Sequence, residues 1–257
     1  MFLRHEVIKM GEKKVFSITK VWKGVSSHYC PGCTHGIIHR LVCEAIEELG
    51  VQDRTVGLAP VGCSVLMHCY LDLDFMEAAH GRAPAVATGI KAVRPDCVVF
   101  AYQGDGDLAS IGMGEIIHAI NRGRPLTFVF VNNAIYGMTG GQMAPTTLIG
   151  QRATTAPKGR DAVTAGYPIG MSEMLATLKT PAYIERVTVA HPKYIPTAKK
   201  AILKAFRNQV DNKGVSFVEV LSTCPTNWGK LPKDSCKWLI DEMIPQYPLG
   251  VFKDFEA

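Results

Sequence analysis

The chain has 257 residues, 47% of them in the hydrophobic set and 20% charged, and 28 basic against 23 acidic side chains give a formal net charge of +5. That suits one large α/β domain with a well-buried core, and no apolar run reaches the roughly 18 residues of a membrane span. The charge is mild and unclustered, which argues against nucleic-acid binding; the densest basic patch (Lys199, Lys200, Lys204, Arg207) reads as a solvated helix face.

Charges interrupt the apolar residues of 1–16, against a signal peptide, so a cytoplasmic location is expected. Residues 28–36, HYCPGCTHG, form a tight thiol-rich turn, and 37–49 follow with apolar residues at helical spacing, ended by Gly50. A short buried strand is predicted over 55–61, leading into Gly62-Cys63-Ser64. Residues 65–82 carry no clear pattern beyond a brief alternation at 71–75. A small-residue helix is predicted over 83–93, stopped by Pro95, then a central strand over 97–102. A helix over 108–122, with Ile111, Ile116, Ile117 and Ile120 inward and Gly123 at its end, precedes a second central strand over 126–131.

Residues 134–170 are polar and rich in Gly, Thr and Pro; a loop of that length in a compact domain is usually functional or disordered, and its motifs favour function. A helix at 173–178, a strand at 182–189, a helix at 197–208 and a strand at 215–221 complete the alternation. Strands alternating with helices imply a doubly wound, mostly parallel sheet: a single α/β domain over 1–257. The last segment, about 225–257, carries Trp228 and Trp238 and reads as a tail packing on a partner.

The chemistry gathers between Gly104 and Asn133. Gly104-Asp105-Gly106-Asp107 follows one predicted central strand and Asn132-Asn133 the next, with 25 residues between Gly106 and Asn132, the length of one helix and one strand. Ligands of parallel sheets sit at the carboxyl ends of strands. Glycines let the backbone approach a diphosphate, the next helix offers its amino-terminal amides to an anion, and a carboxylate with an amide oxygen suits Mg2+. A GDG alone is as often a plain solvated turn; the spacing to the amide pair argues for the cation.

Eight cysteines without an export signal argue for metal, redox or core roles rather than disulfides. Cys30 and Cys33 form a CxxC that alone suits zinc, a redox dithiol or an iron–sulfur centre equally. Cys43 and Cys97 sit in apolar surroundings as core residues; Cys69 and Cys236 lack a motif. The histidines His28, His35, His39, His68 and His118 lack paired metal spacing and read as structural or surface. His80-Gly81-Arg82 opens a helix and reads as a diphosphate or partner contact, or as a plain helix entry.

GDG-x25-NN is the thiamine-diphosphate motif, and the wider strings GDGDLASIGMGEIIHAINRG and VNNAIYGMTGGQMAPTT resemble the β subunit of 2-oxoacid:ferredoxin oxidoreductases, over about residues 28–226. The resemblance implies the thiamine-diphosphate-binding fold, with Mg2+ held by Asp105 and Asn133 side chains and the Ile135 carbonyl. It implies cofactor contacts from Gly62, Cys63, Ser64, His80, Gly104, Asp105, Gly106, Asp107, Asn133, Tyr136, Gly137, Met138 and Thr139. It further implies one [4Fe–4S] cluster on Cys30, Cys33, Cys63 and Cys224; spacing alone does not find Cys224. The implied reaction is oxidative decarboxylation of a 2-oxoacid to acyl-CoA and CO2, with electrons leaving through the cluster to ferredoxin. No glutamate here sits in the family's activating motif, so a partner α subunit carrying the pyrimidine module is expected, with γ and ferredoxin-like δ subunits carrying electrons onward.

Pyruvate-type relatives tend to carry Asn where Met138 stands, and some 2-oxoglutarate-type relatives carry Lys where Gly140 stands. Apolar Met138 and the absent Lys lean towards a branched-chain acid such as 2-oxoisovalerate, with 2-oxoglutarate or pyruvate as alternatives. A non-redox thiamine decarboxylase or synthase would leave the four cysteines idle. A zinc-binding interaction module would leave GDG-NN idle.

Overall fold

The computed structural model describes residues 9–10, 13–14 and 17–255. The strands β1 (Lys9–Met10) and β2 (Lys13–Lys14) pair only with each other. Then come α1 (His35–Leu49), β3 (Thr55–Ala59), a 3-10 turn (Val65–Cys69), β4 (Asp74–Glu77), α2 (Ala83–Val93) and β5 (Val98–Gly104). A π turn (Asp107–Ile111) leads into α3 (Met113–Arg122) and β6 (Thr127–Asn132). Beyond the long connection lie α4 (Ala162–Ala165), α5 (Met171–Ala176), β7 (Tyr183–Thr188), α6 (Ile195–Val210) and β8 (Ser216–Leu221). The chain closes with α7 (Pro225–Trp228), α8 (Pro232–Trp238), α9 (Ile244–Gln246) and β9 (Gly250–Asp254).

Among the described residues the main sheet has seven strands in the order β4-β3-β5-β6-β8-β7-β9. Every neighbouring pair is parallel except β7 with β9. Alternation along β5 divides the core: Val98, Phe100 and Tyr102 face α1 and α6, while Val99 and Ala101 face α2, α3 and α5. The fold is the doubly wound α/β sheet that the strand–helix alternation predicts, and Gly50 and Gly123 cap α1 and α3 as expected.

Three expectations change. The strand predicted over 55–61 stops at Ala59, which frees Gly62 and Cys63 to turn toward the cavity described below. The unpatterned stretch 65–82 holds the edge strand β4, whose weak alternation fits its exposure. The helix predicted from residue 108 is broken: the Gly112 amide donates to the Asp107 carbonyl at 2.9 Å across a wide turn, and α3 starts only at Met113. Ile111 is therefore turned out and exposed, while Ile116 and Ile120 are buried and Ile117 is half-buried.

The C-terminal segment, 225–255, packs within the chain. It covers its own chain's sheet: β9 adds to β7, and Leu239, Met243 and Tyr247 form an apolar cluster with Ala134, Leu148 and Leu221. Arg160 ties the middle of the long connection 133–170 together. The Arg160 guanidinium donates to the carbonyls of Ala144, Pro145, Thr147, Ala165, Gly166 and Tyr167, satisfying backbone that no ladder serves.

Candidate functional site

The strands β3, β5, β6 and β8 lie side by side, and the four chemistry-bearing motifs leave their carboxyl ends: Gly62-Cys63-Ser64, Gly104 to Asp107, Asn132-Asn133 and Cys224. The CxxC turn joins them from the start of α1. Together they build two adjoining cavities.

The larger, about 280 Å3, is lined by Gly62, Cys63, Ser64, His80, Gly104, Asp105, Gly106, Asp107, Asn133, Tyr136, Gly137, Met138 and Thr139. His35, Val61, Ser110, Ile111 and Val131 complete its wall. Ile135, expected to offer its carbonyl, does not line it. Its amide donates to Asp105 Oδ2 at 3.2 Å and to Asn133 Oδ1 at 3.3 Å, which draws the two expected cation ligands together. Asp105 is buried, and its other partner is the Thr146 hydroxyl at 2.7 Å. Burial pushes its carboxyl up to about 7, against the hydrogen bonds from Thr146 and backbone amides. Among the described residues no lysine or arginine is paired with it. A buried carboxylate with neutral partners beside an amide oxygen fits a divalent cation.

Asp107 does a different job. It accepts from the Gly81 amide at 2.8 Å, from Gln103 Nε2 at 2.5 Å and from His80 Nδ1 at 2.5 Å. His80, expected either at the diphosphate or at a plain helix entry, is thereby oriented in the cavity wall. Gly106 is packed under the Tyr136 ring, where a Cβ would come within 2.9 Å, so the turn admits no side chain. Met138 stands at the rim, 58% exposed, and the Thr139 hydroxyl donates to Gln142 Oε1 at 2.5 Å.

The smaller cavity, about 60 Å3, is lined by Cys30, Cys33, Cys63 and Cys224 together with Tyr29, Thr223 and Asn227. Four thiols thus meet, although among the described residues no three His, Cys, Asp or Glu side chains close on one point as ligands of a single metal ion. Burial pushes the Cys33 thiol up to about 12 and Cys63 up to about 11, and raises Cys224 as well. Thiolates gathered out of water need a metal's charge, so the donor set fits a thiolate-bound metal centre. Cys43 and Cys97 are buried, as expected of core residues.

His35, Cys63, Asn133 and Gly137 line both cavities. Gly137 is the partition: a Cβ there would meet Cys63 Sγ at 3.2 Å and Cys224 Sγ at 3.6 Å. Several participants escape sequence reading. His35, taken as structural or surface, opens α1 two residues after Cys33, and that helix start turns it to both cavities; its Nδ1 lies 2.7 Å from the Tyr102 hydroxyl, and burial pushes it down to about 4, hence neutral. Asn227 donates to Gly137's carbonyl at 2.7 Å and toward Cys224 Sγ at 3.3 Å. Its position three residues after Cys224, at the start of a turn, is the one local cue.

Residues 60–220 match the family model described as thiamine pyrophosphate enzyme, C-terminal TPP binding domain. The ketoisovalerate oxidoreductase subunit VorA of Methanothermobacter thermautotrophicus is 53% identical over 90% of this chain, and the chain spans about half (49%) of that relative's length. The 2-oxoglutarate synthase subunit KorB of Methanocaldococcus jannaschii is 40% identical over 84% of this chain and 78% of its own length. A solved 2-oxoglutarate:ferredoxin oxidoreductase from Magnetococcus marinus superposes with a TM-score of 0.78 at 26% identity, covering 96% of this chain and 87% of that one.

Proposed function

The chain belongs to the thiamine pyrophosphate enzymes and, within them, to the 2-oxoacid oxidoreductase subunits, and on that premise we propose that it is the diphosphate-binding β subunit of a cytoplasmic, CoA-dependent 2-oxoacid:ferredoxin oxidoreductase. The observation that carries this reading is the shared wall: one cavity is lined by the GDG turn and Asn133, the next by four cysteines, and Cys63 and Gly137 belong to both. A non-redox thiamine enzyme has no use for the second cavity. A zinc-binding interaction module would leave the GDG and NN motifs idle.

In this reading Asp105 and Asn133, with the Ile135 carbonyl, hold Mg2+, and Gly104, Gly106 and the backbone following them cradle the diphosphate. Cys30, Cys33, Cys63 and Cys224 hold the [4Fe–4S] cluster. Bound thiamine diphosphate supplies the carbanion chemistry at the 2-oxo carbon and the cluster a one-electron exit. The protein's share is to place the two groups on either side of Gly137, exclude water with Tyr136 and Val131, and present His80, oriented by Asp107, toward the substrate space.

The carboxylates lining the larger cavity are Asp105 and Asp107, so the activating glutamate is assigned to a partner α subunit. Exposed Val61, Ile111 and Met138 around the opening suit closure by such a partner. Subunits of the γ and δ type would pass electrons to ferredoxin. Apolar Met138 and the 53% identity to a ketoisovalerate oxidoreductase subunit favour 2-oxoisovalerate as substrate. A second reading, 2-oxoglutarate, is favoured by the fuller-length match to KorB.

The test is anaerobic purification of the chain with its bound subunits, metal and thiamine diphosphate analysis, then kcat/KM for 2-oxoisovalerate, 2-oxoglutarate and pyruvate with CoA and ferredoxin. Iron with thiamine diphosphate and a preference for 2-oxoisovalerate is the expected result. Zinc in place of iron, or no thiamine diphosphate, would sink the reading; a preference for 2-oxoglutarate would move only the substrate.

A further inference from the structure

The C-terminal segment reaches the expected cation ligands by three routes. Trp228 of α7 donates its indole Nε1–H to the Asn133 carbonyl at 3.1 Å. Tyr247 donates its hydroxyl to the Thr146 carbonyl at 2.6 Å, and Thr146 in turn donates its own hydroxyl to Asp105 Oδ2 at 2.7 Å.

The third route is a buried charge relay. Arg186 of β7 is fully buried, donates to the Pro248 carbonyl at 3.1 Å and lies against the Tyr247 and Phe252 rings. Its Nε sits 2.9 Å from Glu219 Oε2, an ion pair too oblique for a hydrogen bond. Glu219 Oε1 accepts from Asn132 Nδ2 at 2.8 Å, and Asn132 Oδ1 accepts from the Ala134 amide at 3.1 Å. Ala134, between Asn133 and Ile135, has φ +56, a conformation that a residue with a Cβ keeps only when its surroundings hold it.

We propose that the C-terminal segment is a positioning clamp for the cation site: Trp228, Tyr247 and the Arg186–Glu219–Asn132 relay hold the left-handed turn at Ala134 so that Asp105 and Asn133 meet the cation preformed. This rests on the cation reading given above. The physical reason is that Mg2+ demands near-octahedral oxygens at fixed distance, so partners behind the ligands govern affinity even though they never touch the metal. The segment thereby acquires a task inside its own chain.

The test uses the enzyme in its native assembly, stripped with a chelator, and measures the Mg2+ concentration at which thiamine diphosphate is taken up, by calorimetry. Tyr247→Phe deletes one donor and keeps the ring, and Trp228→Phe deletes one donor and leaves a smaller aromatic ring in place. Each is expected to raise the required Mg2+ about three- to tenfold, the range of one buried hydrogen bond, while saturating Mg2+ restores thiamine diphosphate affinity. Tyr183→Phe is the control: it removes a buried tyrosine hydroxyl, donated to Glu185, at the opposite end of the sheet, and should leave the Mg2+ requirement unchanged. If Trp228→Phe and Tyr247→Phe lower Tm without moving the Mg2+ requirement, or if all three variants move it equally, the segment is merely structural and the proposal is overturned. Wild-type uptake indifferent to Mg2+ would instead refute the cation reading, and the clamp with it.

Discussion

Two buried carboxylates in this sheet invite comparison. Glu219, inside β8, is fully buried and has an internal cation: Arg186 lies beside it, Asn132 donates to one oxygen and Ser172 donates to the other at 2.6 Å. Asp105, just past β5, is equally hidden but has a hydroxyl and backbone amides for company, and burial pushes it up to about 7. The first carboxylate is completed by the fold. The second has no cation of its own among the described residues, which suits the proposed Mg2+ site. An interior carboxylate therefore marks a binding site through what surrounds it, and burial by itself does not discriminate.

The largest effect that could break this comparison is Arg186→Met. It leaves Glu219 buried without its cation, and urea unfolding of the apo chain should show a loss of about 3–5 kcal/mol; a loss near zero would mean that Glu219 is not completed by Arg186. Next comes Asp105→Asn, expected to cut Mg2+-dependent thiamine diphosphate affinity by more than about 100-fold while leaving apo stability unchanged or slightly raised. Parallel losses of folding and binding would erase the distinction between the two sites.

A third carboxyl sharpens the picture. Glu185 on β7 is 9% exposed, and burial pushes it up to about 7, with Lys204 acting against the rise and Asp254 with it. Because its folded value lies above the unfolded one, the protonated form is favoured in the fold. Its contribution is complete below about pH 4.5 and is lost as pH rises through about 7, an effect of about 3 kcal/mol. Glu185→Gln should flatten the fall in Tm between those pH values. Smallest is Thr146→Val, which removes the hydroxyl that orients Asp105 and should weaken Mg2+-dependent binding by about three- to tenfold in the same titration.

Legibility followed range along the chain. The apolar runs of β5 and β6 and the glycine-flanked Asp105 stood out because a buried parallel strand and the turn after it are encoded by adjacent residues. The π turn at Asp107–Ile111 did not, since it depends on the Gly112 amide reaching the Asp107 carbonyl inside an otherwise helical pattern. Nothing near Arg160 in sequence announces its six carbonyl partners. Cys224 was found through family resemblance rather than spacing, because the chain between it and Cys63 includes most of the sheet.

From the sequence alone came the doubly wound alternation of strands and helices, the acidic turn and amide pair one helix and strand apart, and the CxxC turn, all set by local geometry and side-chain chemistry. The tertiary structure decided the rest. By ordering β3, β5, β6 and β8 side by side, it brought Cys63 and Cys224 together against Gly137 and made one wall serve two cavities. By returning β9 to β7, it set Trp228, Tyr247 and Arg186 behind Asp105 and Asn133, the proposed cation ligands. Those contacts follow from strand order and sheet packing, which join residues that no periodicity or spacing relates.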